Sequence, residues 1–204
     1  MNLLNNFYIF DSVLPNNFCD DLIRFGEEKS NIQLALTGDS IPPKTEKDFK
    51  NLYKQRNSSV AWIDEPWVWN QVQPYIIEAN KEAGWNFDLD HSENAQWTKY
   101  SETQHYSWHV DSFPSPYNEP RRRDYGLTRK LSATISLEDG DKYEGGDLEF
   151  CIHKGINQKI FKVDVARKKG SITVFPSFVL HRVTPVTKGT RYSLVVWTLG
   201  FPFK

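Results

Sequence analysis

Five histidines punctuate the chain, and two of them stand where chemistry can be done. His109-Val110-Asp111 sets an imidazole and a carboxylate two residues apart. On an extended segment both project from the same face. His181 follows 72 residues after His109, at the end of the strand-like run Ile172 to Leu180. Two imidazoles and one carboxylate on an octahedral ion leave three positions open, the donor set that suits non-haem Fe(II) and O2 chemistry. Arg191 comes ten residues after His181, across the turn-like Thr184-Pro185-Val186-Thr187-Lys188-Gly189. Its planar guanidinium can grip a carboxylate with two hydrogen bonds. A fixed arginine beside an open Fe(II) site is what a chelating dicarboxylate such as 2-oxoglutarate requires. Each signal alone is weak, since an H-x-D triplet is more often a satisfied polar pair than a ligand set. Together, on strand-like segments, they point to a metal site.

Elements must hold these groups. From Gln96 onward, short strands alternate with turn signals. Leu131, Ala133, Ile135 and Leu137 recur with the period of two expected of a strand with one apolar face. Gly145-Gly146 precedes a strand at 147–150 and reads as a turn or a close backbone contact. Gly170 precedes another strand at 171–175. Lys188-Gly189 precedes a longer one at 191–199, with Tyr192, Leu194 and Val196 on one face. Strands spaced about ten residues apart suggest a sandwich or jelly roll. The first 90 residues read as mainly helical. Asn16 or Asn17 is expected to cap a helix running to about Ser30, with Phe18, Leu22 and Phe25 as its apolar stripe. Leu36 to Lys50 reads as a loop and Ser58 to Ile63 as a short strand. Glu65-Pro66 opens a second long helix that turns Trp69, Val72, Ile76 and Ala79 inward. The segment 112–128, SFPSPYNEPRRRDYGLT, is long enough to be a functional loop.

Composition narrows the classes. The chain has 204 residues, enough for one good-sized domain. Lys and Arg number 25 against 26 Asp and Glu, so the basic footprint of a nucleic-acid binder is absent. No apolar run approaches the roughly 20 residues that cross a bilayer. Cys19 and Cys151 are too few for a disulfide framework and read as small buried residues of a reduced compartment, so a cytoplasmic location is expected. Aromatic residues make up 14%, which favours a β-rich core.

Two stretches carry a family resemblance. GSITVFPSFVLHRVTPVTKGTRYSLVVW, residues 170–197, resembles the closing motif of prolyl 4-hydroxylase-like 2-oxoglutarate/Fe(II)-dependent dioxygenases, and AQWTKYSETQHYSWHVD, residues 95–111, resembles their metal-entry motif. RKLSATISL (129–137) and YEGGDLEF (143–150) resemble two intervening strands, so the likeness spans about 85–201. It implies a mainly β fold with N-terminal helices: a double-stranded β-helix, the jelly roll also called cupin-like, with helices packed on one sheet. Residues 1–204 would then form a single oxygenase domain, 1–90 as helical support and 91–204 as the β-core. The resemblance implies His109, Asp111 and His181 as Fe(II) ligands and Arg191 as the partner of the distal carboxylate of 2-oxoglutarate. Tyr100 corresponds to a tyrosine that often binds the co-substrate, and Trp197 to an aromatic near the same pocket. The implied reaction is hydroxylation of a C–H bond, with O2 consumed, succinate and CO2 released, and ascorbate as reductant. The implied substrate is a prolyl residue of a peptide or protein.

Competing readings stay in view. A small-molecule or nucleobase oxygenase would share the centre. Nucleobase enzymes usually carry a second arginine six residues after the first, where this chain has Trp197. A non-catalytic jelly-roll binding module would be expected to have lost a ligand, and a metal-dependent hydrolase would need a second carboxylate near the dyad. His105 reads as surface or supporting, and His153 as solvent-facing. His91 sits in an acidic loop that hints only faintly at calcium. Arg121-Arg122-Arg123 reads as a solvated loop tip, or as part of a loop that closes over substrate.

Overall fold

Alternation along the longest strands explains the architecture. In the computed structural model, which describes residues 3, 5–29, 31–37, 42–154 and 157–203, Leu131, Ala133, Ile135 and Leu137 are all buried against helices. Their neighbours Ser132, Thr134 and Ser136 are buried as well. The strand therefore has two covered faces: an apolar one under helices and a small polar one turned into the space between two sheets.

The strands are β1 (Tyr8–Phe10), β2 (Gln33–Leu34), β3 (Arg56–Asn57), β4 (Ser59–Ile63), β5 (Ala95–Tyr100), β6 (His105–His109), β7 (Thr128–Ser136), β8 (Tyr143–Gly145), β9 (Leu148–Lys154), β10 (Asn157–Lys162), β11 (Ile172–Pro176), β12 (Leu180–Val183), β13 (Val186–Gly189) and β14 (Arg191–Gly200). A seven-stranded sheet runs β1-β11-β7-β14-β5-β4-β2 and a five-stranded sheet runs β10-β9-β12-β6-β3, while β13 and β8 form a separate pair. Every pairing is antiparallel. This is the expected double-stranded β-helix.

Helices α1 (Asn16–Glu28), α2 (Glu46–Gln55) and α3 (Pro66–Glu82) come from the N-terminal part. Leu22 of α1 and Val68, Val72, Ile76 and Ala79 of α3 join Trp97, Leu131, Ile135, Leu194 and Val196 in one apolar cluster on the outer face of the large sheet. α1 lies so close to β5 that a Cβ on Gly26 would fall inside the Trp97 indole. A second cluster between the sheets contains Leu148, Phe150, Phe175 and Val179.

The N-terminal region departs from expectation in three ways. It supplies β1, β2 and β3 beyond the helices and the expected strand β4, so it builds both edges of the large sheet and one edge of the small one. Second, a helix begins at Glu46 inside the segment read as loop. Thr45 Oγ1 accepts from the Asp48 N–H at 3.2 Å and Asp48 Oδ2 accepts from the Thr45 N–H at 2.9 Å. That reciprocal cap starts a helix despite the preceding prolines and charges. Third, α1 begins after Pro15 with no side-chain cap and ends at Glu28. Proline serves there because it has no N–H to satisfy. Ser30, its expected end, lies outside the described residues.

Gly145 takes φ +69°, and a side chain there would meet the Pro185 carbonyl. Gly146 donates to the same oxygen at 3.1 Å, so the glycine pair is a close backbone contact. Trp69 is only partly buried. The side chain of His153 lies outside the described residues. No helix among the described residues is long and apolar enough to cross a membrane.

Candidate metal centre

Strand register brings the distant histidines together. His109 ends β6, His181 lies in β12, and the two are directly paired across the antiparallel ladder. Asp111 follows β6, its backbone N–H donating to Ser177 O at 2.8 Å, which ties it to the turn between β11 and β12. One ligand atom from each of His109, Asp111 and His181 lies within 4.8 Å of the others. His109 Nε2 is 3.6 Å from Asp111 Oδ1, and His181 Nε2 is 3.5 Å from Asp111 Oδ2.

Hydrogen bonding settles the tautomers. Nδ1 of His109 faces Ser107 O at 2.8 Å and Nδ1 of His181 faces Val179 O at 2.9 Å. A carbonyl oxygen only accepts, so both Nδ1 atoms carry hydrogen and both rings turn Nε2 toward the carboxylate. Burial, reinforced by His181, pushes the His109 imidazole down to about 3. Burial alone would raise the Asp111 carboxyl, but His181, His109 and Arg129 outweigh it and hold it at about 2. The carboxylate is ionised and the His109 ring neutral near pH 7, the states a metal needs. The neutral His109 ring facing an ionised carboxylate at 3.6 Å sets two electron-rich groups together, a repulsion that a cation between them relieves. This donor set fits a divalent metal.

The remaining residues line up on the inward faces of β5 and β14. Parity on β14 sends Leu194 and Val196 toward the helices and Arg191, Ser193, Val195 and Trp197 into the cavity. Arg191 is 3% exposed and donates through Nη1 to Ser193 Oγ at 3.0 Å. Among the described residues no carboxylate neutralises it. Tyr100 is paired with Arg191 in register, and its ring centre is 5.4 Å from the guanidinium carbon. Trp197 borders the cavity, and its buried indole N–H lies toward the Asp111 carboxylate and helps to hold that group ionised. All six residues singled out in the sequence therefore surround one space.

That space has two compartments. The inner one, about 40 Å³, is lined by His109, Asp111, His181, Tyr100 and Arg191. It is little larger than the volume of one water, because the Tyr106 ring lies flat on the His109 imidazole with centroids 3.4 Å apart. The outer cleft, about 270 Å³, is walled by Trp62, Val110, Phe113, Arg129 and Trp197. Arg56, Gln96, Tyr106, Asp111 and Trp197 border both.

Several neighbours were not legible from the chain. Arg129 forks onto Glu93, Nε to Oε1 at 2.8 Å and Nη2 to Oε2 at 2.7 Å, and lies 4.0 Å over Trp197. Tyr117 of the 112–128 loop donates to Glu93 Oε1 at 2.7 Å. His91 lies between the Asp90 and Asp124 carboxylates, at 2.6 and 3.0 Å, so it ties that loop to the body. Arg121, Arg122 and Arg123 are exposed, and Arg122 pairs with Asp124. His105 sits apart from the centre, near Lys54 O and Thr103 O. Gln96 alone had a usable signal, since it shares strand parity with Tyr100.

The comparisons now carry weight. The model of the 2OG-Fe(II) oxygenase superfamily matches residues 95–199, which hold all six site residues. The chain belongs to this superfamily. Membership brings Fe(II), 2-oxoglutarate and O2 as the family's reagents. A PKHD-type hydroxylase of Alteromonas mediterranea is 38% identical over 99 residues, 48% of this chain and 40% of that relative. The match thus spans well under two thirds of the relative's length. A Pseudomonas putida prolyl-4-hydroxylase structure superposes with TM-score 0.68 at 18% identity, covering 95% of this chain and 92% of that one. A Trichoplax adhaerens prolyl hydroxylase, solved with a hypoxia inducible factor peptide fragment, gives TM-score 0.68 at 18% identity, covering 96% and 84%. These structural likenesses establish the fold.

Proposed function

We propose that this protein is a 2-oxoglutarate- and Fe(II)-dependent dioxygenase that hydroxylates a C–H bond, with a prolyl residue of a peptide or protein as substrate and succinate and CO2 as co-products. One observation carries the reading: two imidazoles oriented by Nδ1–H bonds to backbone carbonyls and an ionised carboxylate converge, with a buried Arg191 across the same cavity that no described carboxylate neutralises. His109, Asp111 and His181 would hold Fe(II). When bound, the metal and co-substrate supply the O2-dependent oxidation.

This chain's side chains do the rest. Ser107 O and Val179 O hold the ring orientations. Arg191 takes the distal carboxylate of 2-oxoglutarate, with Tyr100 beside it. Trp197 turns its indole N–H toward Asp111 in the same space. The 40 Å³ inner cavity admits a dicarboxylate once Tyr106 swings off His109, a rotamer change of the kind common on binding. The 112–128 loop, tied down through Tyr117 and His91, would cover the outer cleft and exclude water. Ascorbate serves as reductant, the domain spans 1–204, and the location is cytoplasmic.

The likeness to prolyl hydroxylases and the peptide complex of the Trichoplax enzyme support a peptidyl substrate. The test is succinate release from 2-oxoglutarate with Fe(II) and ascorbate, together with a one-oxygen mass gain across a prolyl peptide array. Wild type should be active and His181→Ala silent. Equal behaviour of the two proteins removes the proposal.

A further inference from the structure

Two buried guanidiniums with no carboxylate partner among the described residues face the inner cavity, and the co-substrate engages one. Arg56, on β3, is 5% exposed and lines both the inner cavity and the outer cleft. Its Nε donates to Ser58 Oγ at 3.1 Å, Nη1 to Leu36 O at 3.2 Å and Nη2 to Gln96 Oε1 at 2.5 Å. The guanidinium also lies 4.5 Å over the Tyr106 ring. Each hydrogen-bond acceptor is neutral, so three of the five N–H groups are satisfied while the charge is not. An unpaired buried ion is costly, and a cation–π contact offsets only part of that cost. Arg129 differs, because Glu93 neutralises it.

Formal charges expose the excess. A divalent metal and the 2-oxoglutarate dianion cancel. Asp111 cancels Arg191, and Glu93 cancels Arg129. Among the described residues, no carboxylate cancels the charge on Arg56. We infer that Arg56 is a specificity-determining residue for an anionic primary substrate, one that presents a carboxylate in the outer cleft close to the carbon that is oxidised. This rests on the oxygenase reading above and narrows its substrate to acidic molecules. Trp62, Val110, Phe113 and Trp197 wall the same cleft and pack the substrate's body while Arg56 takes its charge. An acidic side chain in a peptide and the carboxylate of a small amino acid present the same group.

Matched probes that differ only in charge test it. N-acetyl-prolinate is compared with N-acetyl-prolinamide, and prolyl peptides with Glu beside the proline are compared with their Gln counterparts. Binding to Mn(II)- and 2-oxoglutarate-loaded protein is measured by calorimetry without O2, so turnover plays no part. In wild type the charged member should bind roughly tenfold or more tighter, the size of one charge-assisted hydrogen bond. Arg56→Gln should bring the ratio to about one, and Arg56→Lys should keep part of it, since it retains the charge but not the fork. Which pair shows the preference separates peptide from small acid. Equal binding within every pair, no binding of any charged probe, or a ratio that survives in Arg56→Gln overturns the inference. The wild-type ratio stands whether or not a variant folds. Succinate release by Fe(II)-loaded wild type is run alongside: its absence sinks the oxygenase reading, whereas a missing charge preference sinks the role of Arg56 alone.

Discussion

Arg191 and His109 show how a single side chain is prepared for its task before any ligand arrives. Arg191 is held by one hydrogen bond to Ser193 and lacks a carboxylate among the described residues. Arg191→Gln should therefore raise the KM for 2-oxoglutarate about tenfold to a hundredfold, the worth of a charge-assisted pair, with metal affinity retained. Steady-state succinate release and a separate metal titration check the two halves. His109 makes the metal-free protein acid-sensitive. Its ring stays neutral in the fold down to about 3 against an ordinary value of 6.5, because burial disfavours the charged form. Between those values the unfolded chain binds the extra proton, so stability falls as pH drops through that window. The slope reaches about 1.4 kcal/mol per pH unit for one group. Asp111 acts with the same sign lower down, between its ordinary 3.8 and about 2. Denaturant unfolding of metal-free protein from about pH 7 to about pH 4 should show this loss, and His109→Asn should flatten it.

At the scale of elements, the helices brace the sheet that carries Arg191, and the brace is tight. Gly26 of α1 lies against Trp97 of β5 with no room for a methyl group. Gly26→Ala should destabilise the protein by about 1–3 kcal/mol through overpacking, even though alanine is the better helix former. Removing the α2 cap with Thr45→Ala should cost about 1 kcal/mol. Urea midpoints of the two variants rank these effects. A larger loss from the cap than from Gly26→Ala would mean that α1 can shift away from β5. The α2 result bears on the site as well, because Gln55 at the end of α2 donates to Trp108 O, next to His109, at 3.3 Å.

For the molecule as a whole, the centre couples binding to folding. His109 and His181 join β6 to β12, and Asp111 is tied to the β11–β12 turn, so a metal there clamps segments distant along the chain. A metal that binds only the folded state stabilises it by about 2.7 kcal/mol at a hundred times its dissociation constant. Adding Mn(II) or Co(II) should raise the melting temperature of wild type and leave His181→Ala unmoved, as differential scanning calorimetry would report. Without that difference the three side chains do not act as a metal site.

How much of this was legible beforehand depended on the range of the forces involved. Strand periodicity from Leu131 to Leu137 and at Tyr192, Leu194 and Val196 is local, and so is the pairing of His109 with Asp111, so β-class, inward faces and candidate ligands could be read directly. The strand-like run before His181 and the turn before Arg191 marked those two as well, and the resemblance over 170–197 implied their roles. The α2 helix was misread because a two-residue capping box outweighed loop-like composition. Arg56, Glu93 and Arg129 could not be found, since their meaning comes from burial and from which charges lie opposite, and both depend on contacts across tens of residues. The sequence by itself determined the chemistry available and the faces that carry it. Only the tertiary structure decided which histidine meets which, which tautomer each adopts, and which buried arginine is left without a counter-charge. Antiparallel register and desolvation belong to the packed chain, not to any segment of it.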